Sequence, residues 1–348
     1  MHVEKSSDHT DRRISVAPMM EWTDRHCRYF LRGFSPDCLL YTEMITAAAI
    51  LRGDRARLLA FDPEEHPVAL QLGGNDPEQL AIAAAEGEAA GYCEINLNCG
   101  CPSDRVASGA FGACLMREPA LVAECVAAMR ARVSLPITVK MRIGVVERKD
   151  REGIAPIADF NDGEFDALQH FVAAIEDAGC AGAIVHARKA VLGGLSPKEN
   201  RAIPPLRYDI VQELKRMFPR LPIVINGGFR DANSVLGALA WSDGVMLGRE
   251  AYHRPFVLSE LHRALHPEDR RPPVTRGAML ERMVRYAERE LARGTRLAAI
   301  TRHMLGLYGG QPGARDYRRI LSHAAHAPGA DAKLLREASR SVTAMAGA

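Results

Sequence analysis

The chain has 348 residues, 47% hydrophobic and 25% charged, with a formal net charge of +2; this excludes a disordered chain and calls for one large barrel or two domains. No apolar run nears the ~18 residues of a membrane span, and Met1 to Arg13 is polar with no signal-like stretch, so a cytoplasmic protein is expected. The eight cysteines all lie at or before position 180 and form neither a paired zinc framework nor a disulfide scaffold, so reduced thiols and no metal are expected.

Short apolar, β-branched segments recur through the first two thirds of the chain. They read RISVAP from Arg13, LLYTE from Leu39, PVALQLG from Pro67 and CEINLN from Cys93. PITVKMRIG from Pro136, GAIVHAR from Gly182, PIVINGG from Pro222 and DGVMLGR from Asp243 follow. Alanine-rich helical stretches separate them, at 77–90, 120–132, 165–178 and 207–218. Eight strands alternating with helices over about 250 residues predict a closed (β/α)8 TIM barrel. A doubly wound sheet would also alternate, but no GxGxxG follows the first strand. A long polar excursion at 144–165 follows the fifth strand.

The pattern then changes. Strand-like runs stop and arginine-rich helical periodicity begins, with HPEDRRPPVTRG as a linker. The chain divides into a barrel at 1–258 and a C-terminal α-helical bundle domain at 259–348. From residue 261 onward there are 16 Lys and Arg against 8 Asp and Glu. A basic tail on an acidic body points to an anionic partner, with a solvated helical surface as the plainer account.

Polar residues end one strand after another: Glu43, Gln71, Asn96 and Asn98, Lys140 and Arg142, His186 and Arg188, and Asn226. Chemistry in a TIM barrel gathers at those C-terminal ends, and buried polar groups lower down are hard to satisfy. Alternation places Glu94, Asn96 and Asn98 on one face, and Thr138, Lys140 and Arg142 on another. Asn226–Gly227–Gly228 closes the seventh strand, and Gly248 and Arg249 close the eighth. These are the two loops where the fold commonly holds phosphate, so a phosphate-bearing cofactor is implied. Cys101 follows the fourth strand in a Gly-Cys-Pro turn, before glycines at 109 and 112 that mark a mobile loop. Its thiol there serves as proton donor or nucleophile, or simply packs.

The segments APMMEWTDRHCR, LQLGG, NLNCGCPSDRV, GACLM, VKMRIG, HARKAVLGGLSPKENR, INGG, GVMLGREAY and RHMLGLYGGQPGARDYRR resemble the tRNA-dihydrouridine synthases. The likeness is to the bacterial branch that acts on uridines 20 and 20a of the D-loop, and it covers almost the whole chain. It implies an FMN-binding barrel, reduced by NADPH, with a helical tRNA-binding domain. By the same resemblance, Pro18, Met19 and Met20 line the flavin, and Gln71, Lys140 and His186 bond it. Asn226, Gly227, Gly228, Gly248 and Arg249 would hold its phosphate. Cys101 matches the family's catalytic cysteine, and Asn98 a position near the target base. Lys198, Arg201, Arg315 and Arg318 match the tRNA-binding signature. A monomer that flips the uridine out of the tRNA and needs neither membrane nor metal is expected. The alternatives are an FMN-dependent barrel reducing a free pyrimidine, a Schiff-base lyase using Lys140, and a non-catalytic RNA-binding module.

Overall fold

The computed structural model describes residues 11–102, 111–147, 159–193 and 195–346. Gly109 and residues 148–158 of the 144–165 excursion therefore lie outside the described residues.

All eight expected strands form. They are β1 (Ile14–Val16), β2 (Leu39–Tyr41), β3 (Val68–Gly73) and β4 (Glu94–Cys99). The remainder are β5 (Ile137–Arg142), β6 (Gly182–His186), β7 (Ile223–Asn226) and β8 (Gly244–Leu247). Every neighbouring pair is parallel, β1 pairs with both β2 and β8, and β2 pairs with β3, so the sheet closes on itself. A short strand, Ile45–Thr46, extends the β2 line along β3, leaving Glu43 in the gap.

The crossover helices are α1 (Arg25–Arg32), α2 (Ala47–Arg52), α3 (Pro77–Ala90) and α4 (Pro119–Arg132). Then come α5 (Asp162–Asp177), α6 (Tyr208–Met217), α7 (Ala232–Leu239) and α8 (Phe256–Leu265). Helix α3 shows the local logic. Asp76 caps its first turn, Pro77 opens it, and Gly91 ends it at φ 94°. Within it Gly87 faces Leu70 and Ile95 with no room for a Cβ, which lets the helix settle on β3 and β4. The main apolar core lies between strands and helices, while Leu39, Tyr41, Ala69, Ile184, Val224 and Met246 fill the barrel itself.

The 258/259 division falls inside α8, whose Val257, Leu258 and Leu261 are buried in the barrel's outer core. Beyond it, α9 (Arg276–Ala292), α10 (Leu297–Thr301), α11 (Ala314–Ala324) and α12 (Lys333–Ala346) complete the chain. Helix α9 docks on α1: Tyr29 and Tyr286 stack with centroids 3.9 Å apart, and Met279 sits over Gly33. Ion pairs surround that contact. Arg25 meets Glu290 at 2.6 Å, Arg282 meets Glu64 at 2.8 Å, and Arg302 meets Asp24 at 2.7 Å. Arg289 pairs with Asp62. Three of the tail's sixteen Lys and Arg residues, Arg282, Arg289 and Arg302, are thus spent on barrel acids. Among the described residues, no helix is long and apolar enough to cross a membrane.

Candidate active site

The register places the strand-end polar residues in rows. Gln71 lies beside Asn96 and Asn96 beside Thr138; Asn98 lies beside Lys140; Arg142, His186 and Asn226 form a further row. A continuous hydrogen-bonded ladder climbs the inside of the barrel. At its foot Glu94, fully buried, receives Arg12 Nε at 2.7 Å, Tyr41 OH at 2.6 Å and Thr138 Oγ1 at 2.6 Å. Asn96 Nδ2 donates to Thr138 Oγ1 at 2.9 Å, Gln71 Nε2 to Asn96 Oδ1 at 2.8 Å, and Asn98 Nδ2 to Gln71 Oε1 at 3.2 Å. Each group in this buried interior is satisfied by the next, so the ladder fixes the Gln71 and Asn98 amides at the mouth.

Asn98 passes that order to the loop above. Its Oδ1 accepts from the backbone N–H of Gly100 at 2.9 Å and of Cys101 at 3.0 Å. Ala113 N–H then donates to the Cys101 carbonyl at 2.9 Å, so the half-buried Cys101 is held from both sides.

Cations crowd this end of the barrel. Lys140 Nζ donates to Asn226 Oδ1 at 3.2 Å, and Asn226 is itself held by the Met246 carbonyl at 2.7 Å. Burial, reinforced by the like charge of Arg142 and opposed by Cys101, lowers Lys140 to about 7. Burial, with Arg142, Lys140, Arg188 and Arg201 adding repulsion, drives His186 well below its ordinary value, so its imidazole is neutral. Among the described residues, no ion pair to a carboxylate is formed by Lys140, Arg142, Arg188, Arg201 or Arg249. So much uncompensated positive charge at one mouth is a site for an anion.

The glycines beside it have steric reasons. Gly227 at φ 121° and Gly228 at φ 81° adopt left-handed backbone, and a Cβ on either would strike His186, Leu206 or Tyr208. The Tyr208 hydroxyl caps the Gly227 carbonyl. Gly248 differs: a Cβ there meets nothing closer than 3.9 Å, so packing does not account for a glycine.

Asn200 escaped the sequence reading of the site, and Arg142 was read as a strand end without its task. Arg142 is buried and staples three segments, donating to the carbonyls of Gly100 at 3.2 Å and of Lys189 and Asn200 at 3.1 Å each. Asn200, also fully buried, exchanges hydrogen bonds with both backbone groups of Val191. That bond fixes the turn that presents exposed Lys198 and Arg201.

Pro18, Met19 and Met20 follow β1, which pairs with β8, and Met19 Sδ lies 3.9 Å from where a Cβ on Gly248 would stand. Met19 is tied to Thr23, and Met20 is 59% exposed. Glu21 holds a left-handed backbone at φ 65° while its N–H donates to the Glu43 carboxylate. Exposed Arg315 and Arg318 share one face of α11.

Residues 15–343 match the family described as dihydrouridine synthase (Dus). The chain is 54% identical over 326 residues to the tRNA-dihydrouridine(20/20a) synthase of Xanthomonas axonopodis pv. citri, covering 94% of this chain and 92% of that protein. It is 51% identical over 341 residues to the protein of the same name from Escherichia coli K12, covering 97% and 94%. The tRNA-dihydrouridine(20/20a) synthase of Synechocystis is 52% identical over 325 residues, covering 93% of each. With the closed parallel barrel and its cationic mouth, these likenesses lead to one conclusion: the chain belongs to the dihydrouridine synthase family of flavin-dependent oxidoreductases.

Proposed function

We propose that this protein reduces the C5–C6 double bond of uridines 20 and 20a in the tRNA D-loop, using FMN as its flavin and NADPH as reductant, as a cytoplasmic monomer. The observation that carries the reading is the carboxylate-free group of cations beside the two left-handed glycines, with Cys101 held above it. Those residues fit a flavin phosphate. Gly248 leaves room beside the backbone, and Arg249 stands exposed at the start of a short helix. Bound there, the flavin would supply the hydride for C6 of the uracil ring.

This chain's own residues do the rest. Gln71 and the neutral His186 offer uncharged hydrogen-bond partners, and Lys140 offers charge that stabilises a nearby anion. Asn98 positions Cys101, whose S–H delivers the proton to C5. A uridine in folded tRNA must be flipped out to reach so recessed a thiol. Lys198, Arg201, Arg315 and Arg318, with the helices of 259–348, would grip the tRNA backbone.

Purified protein given NADPH and an unmodified tRNA transcript should form dihydrouridine at positions 20 and 20a, read by nucleoside mass spectrometry. Reduction of free uridine with no turnover on tRNA would replace the substrate with a small pyrimidine.

Two expectations concern the cofactor. Arg249→Ala should weaken FMN retention by ~1.5–3 kcal/mol, the worth of a charge-assisted bond; FMN binding at the wild-type affinity would take Arg249 off the phosphate. The second follows from Lys140. Its ammonium is present below about pH 7 and lost above it, and an anionic ligand favours the charged form. FMN affinity should therefore be level below about 7 and fall by up to ~10-fold per pH unit above it, until the ligand-raised pKa is passed. Lys140→Met should flatten that profile in a fluorescence titration.

A further inference from the structure

At the opposite end of the barrel, far along the strands from Cys101, lies a cluster the reaction does not use. Asp37 precedes β2, and His262 on α8 and His266 at that helix's C-cap have rings stacked 4.8 Å between centroids. They line a small cavity with Asp11, Arg13 and Ser35. We propose that Asp37, His262 and His266 form a zinc site that clasps the base of the barrel to its last helix.

One ligand atom from each of the three lies within 4.8 Å of the others. Asp37 Oδ2 is 3.1 Å from His262 Nδ1 and 3.9 Å from His266 Nε2. Ligands on a tetrahedral zinc with bonds of ~2.0–2.1 Å sit roughly 3.4 Å apart, between those two spacings. The outer partners match as well. His262 turns its other nitrogen, Nε2, to Asp269 at 2.8 Å, and His266 turns Nδ1 to Glu268 at 3.1 Å. A carboxylate on the far nitrogen is how metal-bound histidines are oriented. Here both rings have one, each leaving the nitrogen nearer Asp37 to face the metal. The His262 side chain is 9% exposed and that of Asp37 46%, so solvent reaches the site through Asp37 and can supply a fourth ligand.

Two guanidinium groups complete the surroundings. Arg271 Nη2 lies 3.3 Å from His262 Nε2 and is itself paired with Asp269. Arg13 Nη2 lies 3.1 Å from His266 Nε2 while forking onto Asp11. Arg13 thus competes for the lone pair that zinc needs. The missing CxxC pairs, which argue against thiolate-bound zinc, do not bear on a site of imidazole and carboxylate. Its position at the N-terminal ends of the strands suits stability, not catalysis.

The test is a titration of metal-free, full-length protein with zinc chloride against a chromophoric chelator, with thermal melts alongside. One zinc per chain should bind at micromolar affinity or tighter and raise the Tm. His262→Gln and His266→Gln should each weaken binding at least tenfold, and Asp269→Asn by ~10–100-fold. Arg13→Met, which deletes no ligand, should tighten it. Substoichiometric zinc, affinity unchanged in both histidine variants, or an Arg13→Met protein no tighter than wild type overturns the site. Melts of the metal-free variants identify any that fail to fold, and Arg13→Met then decides.

Discussion

Cys101→Ala is expected to slow dihydrouridine formation ~10²–10⁴-fold, the usual contribution of a positioned general acid. Flavin content and the rate of flavin reduction by NADPH should stay as in wild type. The division follows from the site. The loops after β7 and β8, Lys140 and His186 belong to β5–β8, while the thiol hangs on the loop after β4, whose backbone Asn98 and Ala113 hold. Removing Sγ breaks none of those bonds, so what is lost is the proton for C5. Cys101→Ser should be poor too, because a hydroxyl is a far weaker acid than a thiol. Cys99 is the control. It is fully buried in the outer core, on the other face of β4, and burial raises its thiol well above the ordinary range. Cys99→Ala should turn over normally; a dead Cys99 variant beside a normal Cys101 variant would assign the acid to the wrong residue.

The barrel was legible because its signals are local. Each strand is a short β-branched run, and a period of two alone separates the inward faces of β4 and β5. The ladder from Glu94 to Asn98 follows from that alternation, since a polar residue at every inward position needs a polar neighbour on the next strand. Arg142 was visible as a strand end, yet its task was not. It donates to backbone carbonyls 42, 47 and 58 residues away, and carbonyls leave no mark in a sequence. The tail charge was legible only as a total. A count of arginines cannot show that Arg282, Arg289 and Arg302 meet Glu64, Asp62 and Asp24 across more than two hundred residues. Nor does spacing bring Asp37 to His262; only closure of the barrel does.

That redistribution of charge sharpens the prediction for tRNA. If net charge alone drew the RNA, neutralising any two tail arginines would have the same effect. The structure separates them, because Arg282 and Arg302 are engaged with the barrel whereas Arg315 and Arg318 are exposed on α11, away from any acid they pair with among the described residues. An arginine already paired with a carboxylate displaces few counterions when RNA arrives, so it adds little to the salt dependence. Replacing Arg315 and Arg318 together with alanine should therefore weaken tRNA binding and flatten the slope of log K against log salt by up to ~0.9 per lost phosphate contact, as on duplex DNA. Replacing Arg282 and Arg302 should lower the melting temperature, since each loses a barrel partner, and leave the slope nearly unchanged. Flavin binding should be intact in the first pair, whose helix lies far in sequence from the loops after β7 and β8. An equal change of slope from both pairs would mean that the tail attracts tRNA by bulk charge, and an unchanged slope in the first would remove α11 from the interface.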